Sequence, residues 1–175
     1  MSDRVSDCPP LLGPGEHALG IEQVEELCVK RFPLSRTRAR IMASLKTIAQ
    51  DLVRLRIPCH LIIDGSFVTE EIEPNDVDFA VAVTSEFYET CSPEQRKFLD
   101  WIANDKSIVE THLCDCYLCV EYKPGQVEYF DGMCDRAWWT RFYSESVVYK
   151  RKRGVAIVNI SEERHESAST SPGQN

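Results

Sequence analysis

The sequence predicts an α/β fold in which short apolar strands form a sheet and amphipathic helices pack on it. Apolar residues recur at helical spacing in two stretches before residue 56. Short apolar runs bounded by proline, glycine or polar residues follow at four later places. The chain has 175 residues, of which 43% are hydrophobic and 27% charged, and this composition suits one globular domain with its own core.

Composition also limits the classes of function. The formal net charge of −8 argues against a broad nucleic-acid-binding surface, which is normally basic. No run of about 18 apolar residues is present, so no membrane span is predicted. Residues 1–4 lack the apolar core of a secretion signal. We therefore expect a cytoplasmic protein without a membrane partner.

The N-terminal part of the chain predicts an arm followed by a helix. Prolines and glycines are frequent in residues 1–19, which favours an extended arm. Apolar residues with helical spacing predict a helix from Ile21 to Phe32. Pro33 is expected to end it, because proline disfavours the helical conformation of the residue before it.

A longer amphipathic helix is predicted after Ser35, whose hydroxyl is a good N-cap. Its apolar stripe runs from Ile41 to Leu55. Six basic residues are assigned to the outer face: Arg36, Arg38, Arg40, Lys46, Arg54 and Arg56. We interpret this face as solvated, and contact with a polyanion is the alternative.

The most informative part of the chain includes the next two predicted strands and the loop between them. An apolar strand over residues 60–63 leads into Gly65 and Ser66, and a polar loop follows. Asp76 and Asp78 then open a second apolar strand that reaches about residue 83. Side chains alternate along a strand, so these two aspartates are expected on one side, with the valine between them in the core.

This arrangement predicts a site for a nucleoside triphosphate. Two neighbouring carboxylates suit a magnesium ion that must also hold phosphate groups. Gly65 allows a tight bend, and the amides around Ser66 are donors for phosphate oxygens. An Asp-x-Asp pair alone is often a solvated strand start, but here the strand, the Gly-Ser pair, the loop and the acids coincide. Three loop glutamates would oppose a polyanion unless they point away: Glu70, Glu71 and Glu73.

The later elements are predicted in the same way. Ser92 and Pro93 are a strong helix start, and this helix is expected to reach residue 102 or 103. A third strand is predicted over residues 114–122, a short hairpin partner over 127–130 and a last strand over 154–160.

Four cations at 150–153 precede the last strand, and we expect either contact with a triphosphate or a solvated strand entry. We thus divide the chain into an arm (1–19), one domain (20–160) and a disordered tail (161–175).

Cysteines and aromatic residues are interpreted as core. The eight cysteines are mostly scattered, as expected for reduced, buried thiols. A zinc site is not favoured, because His112 and the cysteines at 114, 116 and 119 lack the paired spacing of zinc ligands. The aromatic residues at 138, 139, 142 and 143 are expected in the core or at a partner interface, with base stacking as the alternative.

The central motif resembles that of the nucleotidyltransferase superfamily, whose members share Gly-Ser, a loop, Asp-x-Asp and a third acid on a later strand. The chain is more closely similar to an uncharacterised bacterial family of small nucleotidyltransferase-like proteins. Three segments carry this resemblance: Gly-Pro-Gly-Glu-His at 13–17, Asp-Gly-Ser-Phe-Val-Thr at 64–69 and Glu-Pro-Asn-Asp-Val-Asp at 73–78. Residues 152–158 match more loosely, and the resemblance covers roughly residues 10–160.

The resemblance implies a polymerase β-like core, with a small mixed sheet and packed helices, and the transfer of a nucleoside monophosphate from an NTP to an RNA or protein hydroxyl. Asp76 and Asp78 would be catalytic and hold Mg²⁺ or Mn²⁺, and Gly65 and Ser66 would bind the nucleotide. Asp115 is the preferred third catalytic and metal-binding acid. Glu121, on the same predicted face, is an open alternative, and the acids at 128 and 131 are more remote ones.

The broader resemblance suggests a toxin–antitoxin or defence system, in which a partner protein takes part. A catalytically inactive relative that binds a nucleotide or a protein is the second hypothesis.

Overall fold

Five strands form one mixed sheet in the order β1-β5-β2-β3-β4 in the part of the chain that the structure describes. The structure is a computed structural model that describes residues 8–123, 139–141 and 153–160. The strands are β1 (Gly15–Ala18), β2 (His60–Asp64), β3 (Val77–Thr84), β4 (Cys114–Glu121) and β5 (Gly154–Asn159). Strand β2 is antiparallel to both of its neighbours, whereas β1 pairs with β5, and β3 with β4, in parallel. The predicted fold class, α/β with a mixed sheet and helices, is confirmed.

The helices connect these strands. They are α1 (Ile21–Glu25), continued by a π-helix (Glu26–Lys30), and then α2 (Arg38–Arg54), α3 (Ser85–Thr90), α4 (Pro93–Asn104) and α5 (Ile108–His112). A short 3-10 turn (Ser66–Val68) follows β2. No helix in the described ranges is long and apolar enough to cross a membrane.

The two faces of the sheet have different surroundings. On one face, alternate residues of β3 such as Val77 and Phe79 join a core with apolar residues of α2 such as Leu45. On the other face, a smaller cluster brings Ala80 and its neighbours under Trp139. Since side chains alternate, every second residue of β2, β3 and β4 lies on this second face.

Helix α4 begins as predicted. The amide of Gln95 donates to the Ser92 hydroxyl, while the Ser92 amide donates to the side-chain oxygen of Gln95. This reciprocal capping, with Pro93 in the first turn, satisfies two amides that would otherwise lack partners at the helix start.

Arg38 differs from its predicted place, because the assignment of this side chain to the outer face of α2 is wrong. Arg38 is completely buried. Its guanidinium lies 3.8 Å from the centre of the Phe32 ring and donates to four backbone carbonyl groups. These belong to Cys28, Phe67, Thr69 and Glu71, at 2.5–3.1 Å. Because the loop 66–73 supplies three of the four, a buried cation fixes the backbone that follows Gly-Ser.

Other basic residues of α2 form ion pairs at the surface. Lys46 contacts Glu25 at 2.8 Å, and Arg54 contacts Asp51 at 3.0 Å. Such pairs are typical of a solvated face, as we expected there.

Part of the predicted arm is regular structure. Residues 15–18 form β1 at the edge of the sheet, and Pro10 makes an isolated bridge with Thr69. Several sequence predictions concern residues outside the described ranges. These are the hairpin partner, the tail, the acids at 128 and 131, the aromatic residues at 138, 142 and 143 and the cations at 150–152.

Candidate functional site

Three aspartates stand side by side on neighbouring strands. Asp64 of β2 is the register partner of Asp78 in β3, and Asp78 is in turn the register partner of Asp115 in β4. Registered side chains point to the same face of a sheet, and adjacent strands lie about 4.8 Å apart. Asp76 precedes β3 and shares the side of Asp78. We call these four residues the acid cluster.

The register also separates the two candidates for the third acid. Asp115 lies directly across from Asp78, whereas Glu121 is the register partner of Thr84 at the far end of both strands. Six residues of strand correspond to about 20 Å. Asp115 is therefore brought to the predicted acids, and Glu121 is not.

The acid cluster lies on the face of the sheet away from the main helices. Val77 is completely buried in the helix-covered core, so its neighbours Asp76 and Asp78 point the other way. On the same face the Tyr117 hydroxyl donates to Asp115 Oδ2 at 2.9 Å. Burial and this hydrogen bond raise the pKa of Tyr117, so at neutral pH it is a hydrogen-bond donor to the carboxylate.

Gly65 brings the Gly-Ser segment against these acids. Its φ of +83° is a conformation that residues with side chains rarely adopt. A Cβ atom at this position would overlap the Oδ2 atom of Asp78. The missing side chain therefore makes room for the carboxylate, and Ser66 follows at once in the 3-10 turn.

The loop between Ser66 and Asp76 is held on several sides. Its carbonyl groups accept hydrogen bonds from Arg38, as described above, and the Glu70 amide donates to the Pro9 carbonyl. Glu73 accepts hydrogen bonds from the amides of Arg36 and Thr37 at the start of α2. These bonds hold Glu73 at the start of the helix. The charge of Glu71 reaches the site, since it contributes to the raised pKa of Asp76.

Burial and neighbouring carboxylates raise the pKa of Asp78 and of Asp76. Burial, together with the charges of Asp76 and Asp115, raises the pKa of Asp78 to about 7. The pKa of Asp76 is also raised, by burial first and then by the charges of Asp115 and Glu71. Carboxylates forced together in this way bind a proton or a cation more readily than isolated ones.

Asp64 was not predicted as a site residue from the sequence, and the structure places it in the acid cluster. Its side chain is fully buried, and Oδ2 accepts a hydrogen bond from Arg153 Nη2 at 2.6 Å. The other carboxylate oxygen, Oδ1, is buried without a hydrogen-bond partner. Burial raises the pKa of Asp64 to about 7, although the charge of Arg153 opposes this shift. The sequence held two signals for Asp64, its place at the start of the 64–69 segment and its position two residues after Ile62 on the same strand face, but only the register with β3 places it beside Asp78.

The donor set of the acid cluster suits a divalent cation with hard oxygen ligands. Burial and then the charges of Asp76 and Asp115 raise the pKa of Asp78, and bound positive charge would offset the repulsion between these acids. As the side chains stand, no three or more His, Cys, Asp or Glu residues among those described are arranged to hold a metal ion.

The cysteines do not form a second site in the described ranges. Cys114 and Cys116 face the helix-covered core, and Cys119 faces the opposite side. Burial raises the pKa of Cys114 and of Cys116 to about 12, so both thiols stay protonated at neutral pH. Trp139 is likewise buried, with its ring centre 5.1 Å from that of Tyr117, in agreement with its predicted core role.

Comparisons with known proteins identify a family but no activity. A family model described as a family of unknown function (DUF6932) matches residues 6–160. No curated protein and no solved structure matches the chain.

Proposed function

The chain belongs to the DUF6932 family of unknown function, and we propose that it is a metal-dependent nucleotidyltransferase. In this proposal it has a polymerase β-like core and transfers a nucleoside monophosphate from an NTP to a hydroxyl group of an RNA or a protein. The proposal follows from the chemistry of the acid cluster and the adjacent Gly-Ser segment.

The register of Asp78 with Asp115 carries the proposal. A third carboxylate beside an Asp-x-Asp pair would add a ligand for divalent cations, which would offset the negative charge of a phosphoryl group during its transfer. Gly65, packed against the Asp78 carboxylate, brings a turn with backbone amides to the same place. Acids for a metal and amides for phosphates are thus adjacent, as transfer from a triphosphate requires.

Each residue has a defined role in the proposed reaction. Asp76, Asp78 and Asp115 would hold Mg²⁺ or Mn²⁺, which when bound offsets phosphate charge and lowers the pKa of the attacking hydroxyl. Gly65 and Ser66 bind the β- and γ-phosphates and so orient the triphosphate group. The acceptor hydroxyl then loses its proton to water and its oxygen forms a bond to the α-phosphorus, while the bond to the bridging oxygen breaks and pyrophosphate leaves with that electron pair.

The acceptor is an RNA or a protein, which this chain binds either by itself or together with a partner protein. The net charge of −8 disfavours a broad RNA-binding surface, so an RNA acceptor would be held by a small basic area. A toxin–antitoxin or defence system, in which the partner is encoded alongside, remains our proposal for the setting.

Two observations favour a second function, that of a catalytically inactive module binding a nucleotide or a protein. An arginine already neutralises one carboxylate of the acid cluster, and the described acids do not converge around a metal position. In such a module a cation would not be needed, because Arg153 balances part of the charge.

Label transfer separates the two functions. The protein is incubated with α-³²P-labelled NTPs, Mg²⁺ or Mn²⁺, and either total RNA or a protein extract, and both labelled polymer and released pyrophosphate are measured. Transfer by the wild type that is lost in Asp78→Asn and kept in Asp100→Asn, an exposed residue of α4, supports the enzyme. NTP binding without transfer to any acceptor or release of pyrophosphate supports the module.

A further inference from the structure

Arg153 lies where the acid cluster meets the Gly-Ser segment. The residue immediately precedes β5, and its guanidinium contacts Asp64, which immediately precedes Gly65. Its charge lowers the pKa of both Asp64 and Asp78 against the effect of burial. One cation therefore acts on two members of the acid cluster at the end where the phosphates are proposed to bind.

The partner of Arg153 is an unusual group for a protein interior. Asp64 is fully buried, with one oxygen bound to Arg153 and the other without a hydrogen-bond partner. A buried carboxylate that is incompletely hydrogen-bonded destabilises the folded state, and most proteins avoid it. Such a group beside other acids in a candidate site indicates a functional role.

The exposure of the two side chains suggests what that role is. The Arg153 side chain is 20% exposed, whereas Asp64 is inaccessible, so a ligand from solvent can contact the arginine side chain and not the carboxylate. Arginine presents several N–H donors in one plane, a geometry that matches phosphate oxygens, and can bind a carboxylate and a phosphate at once. A triphosphate placed next to four acids also needs positive charge beyond that of a metal ion.

We propose that Arg153 binds the terminal phosphates of the nucleotide and that Asp64 is the positioning residue that holds its guanidinium toward them. This inference rests on the proposed function and deepens it, since it names the side chain that distinguishes a triphosphate from a mono- or unphosphorylated nucleoside. Arg153 acts on the ligand directly, and Asp64 acts only through Arg153.

The test compares the affinities of nucleotides that differ in phosphate number. Calorimetry with Mg²⁺ gives the dissociation constants of ATP, ADP, AMP and inorganic pyrophosphate, with the guanine, cytosine and uracil series in parallel. The variants are Arg153→Ala, Arg153→Gln and Asp64→Asn. Arg153→Gln retains a donor for Asp64, and so keeps the test valid if the alanine variant is unstable. Arg54→Ala is the matched control, because Arg54 is exposed near the end of α2, which leads to the opposite end of β2.

We expect both Arg153 variants to weaken triphosphate and pyrophosphate binding by about tenfold or more, while monophosphate binding changes by less than about twofold. Asp64→Asn is expected to give the same pattern with a smaller loss. Equal losses for all the nucleotides, or unchanged triphosphate binding, would overturn the inference. If the wild type binds triphosphates through Asp76 and Asp78 while the Arg153 variants are unaffected, only this inference fails. If the wild type binds no nucleotide, the proposed function fails with it.

Discussion

The carboxylate of Asp78 occupies the space that a side chain at Gly65 would need. Gly65 directly follows β2, and Asp78 lies in β3. Their contact therefore joins the Gly-Ser segment to the Asp-x-Asp pair across the loop between them. The phosphate-binding segment and the metal-binding acids of the proposed site are thus one packed unit.

Gly65→Ala should destabilise the protein by about 1–3 kcal/mol, because the new methyl group meets Asp78 and the backbone has a positive φ. The free energy of unfolding in urea measures this loss. Gly13→Ala is the control, since a Cβ atom there meets nothing within 4 Å. In the double variant Gly65→Ala/Asp78→Ala part of the loss should be recovered, because the clash partner is gone. Strict additivity of the two single changes would contradict the proposed contact.

Arg38→Lys should destabilise the fold by about 3 kcal/mol or more, although it preserves the charge. Lysine cannot reach the four carbonyl groups that the guanidinium contacts, and buried acceptors would lose their partners. Urea unfolding of this variant is compared with that of Arg40→Lys, an exposed position on the same helix. A loss below about 1 kcal/mol would show that Arg38 does not fix the loop.

Asp115→Asn should lower nucleotidyl transfer by at least about 100-fold, and Glu121→Gln should leave it within about twofold. The reason is their register, because Asp115 pairs with Asp78 and Glu121 pairs with Thr84. Rates of pyrophosphate release at saturating NTP give the comparison, with equal thermal stability of the two variants as the check on folding. The opposite ranking would mean that Glu121 is the third acid.

The contribution of Asp78 to the stability of the folded protein should fall as pH rises from about 4 to 7. Burial and the neighbouring acids raise the pKa of Asp78 from 3.8 to about 7, so in this range the folded state binds its proton more tightly than the unfolded chain. Asp78→Asn cannot ionise. Without divalent cations it should therefore exceed the wild type in the free energy of unfolding by on the order of 2 kcal/mol at about pH 8, and lose this advantage near pH 4.

Urea unfolding at both pH values, in the presence of a chelator, measures this difference. Asp100→Asn is the control, since its carboxylate is exposed on α4. A destabilised Asp78→Asn protein at the higher pH would show that the ionised carboxylate is well solvated or paired in the fold.

Local patterns in the sequence predicted much of this fold. The strands on either side of the Gly-Ser segment were predicted to within a residue, because β2 and β3 are apolar runs with clear boundaries. Helix α4 was predicted because Ser92 and Pro93 determine its start through local hydrogen bonds. The short helices α3 and α5 were not predicted, since five or six residues give too little periodicity.

Residues whose role depends on distant contacts were harder to predict. Arg38 precedes Ile41 and Leu45 by three and seven residues, so helical spacing placed it on the buried stripe, but its charge favoured the surface. Only the carbonyl groups of the distant loop explain its burial. Asp64 and Arg153 are separated by most of the chain, and their contact follows from the pairing of β2 with β5.

The most direct test of the central claim is the binding of nucleoside triphosphates to the acid cluster. ATP, GTP, CTP and UTP are titrated by calorimetry with Mg²⁺ or Mn²⁺ into the wild type, Asp76→Ala/Asp78→Ala and the control Asp100→Ala. We predict that at least one triphosphate binds only with the metal, and that its affinity falls at least about 100-fold in the double variant alone. Failure of every triphosphate to bind the folded wild type, or binding that survives both metal removal and the double substitution, would contradict the account.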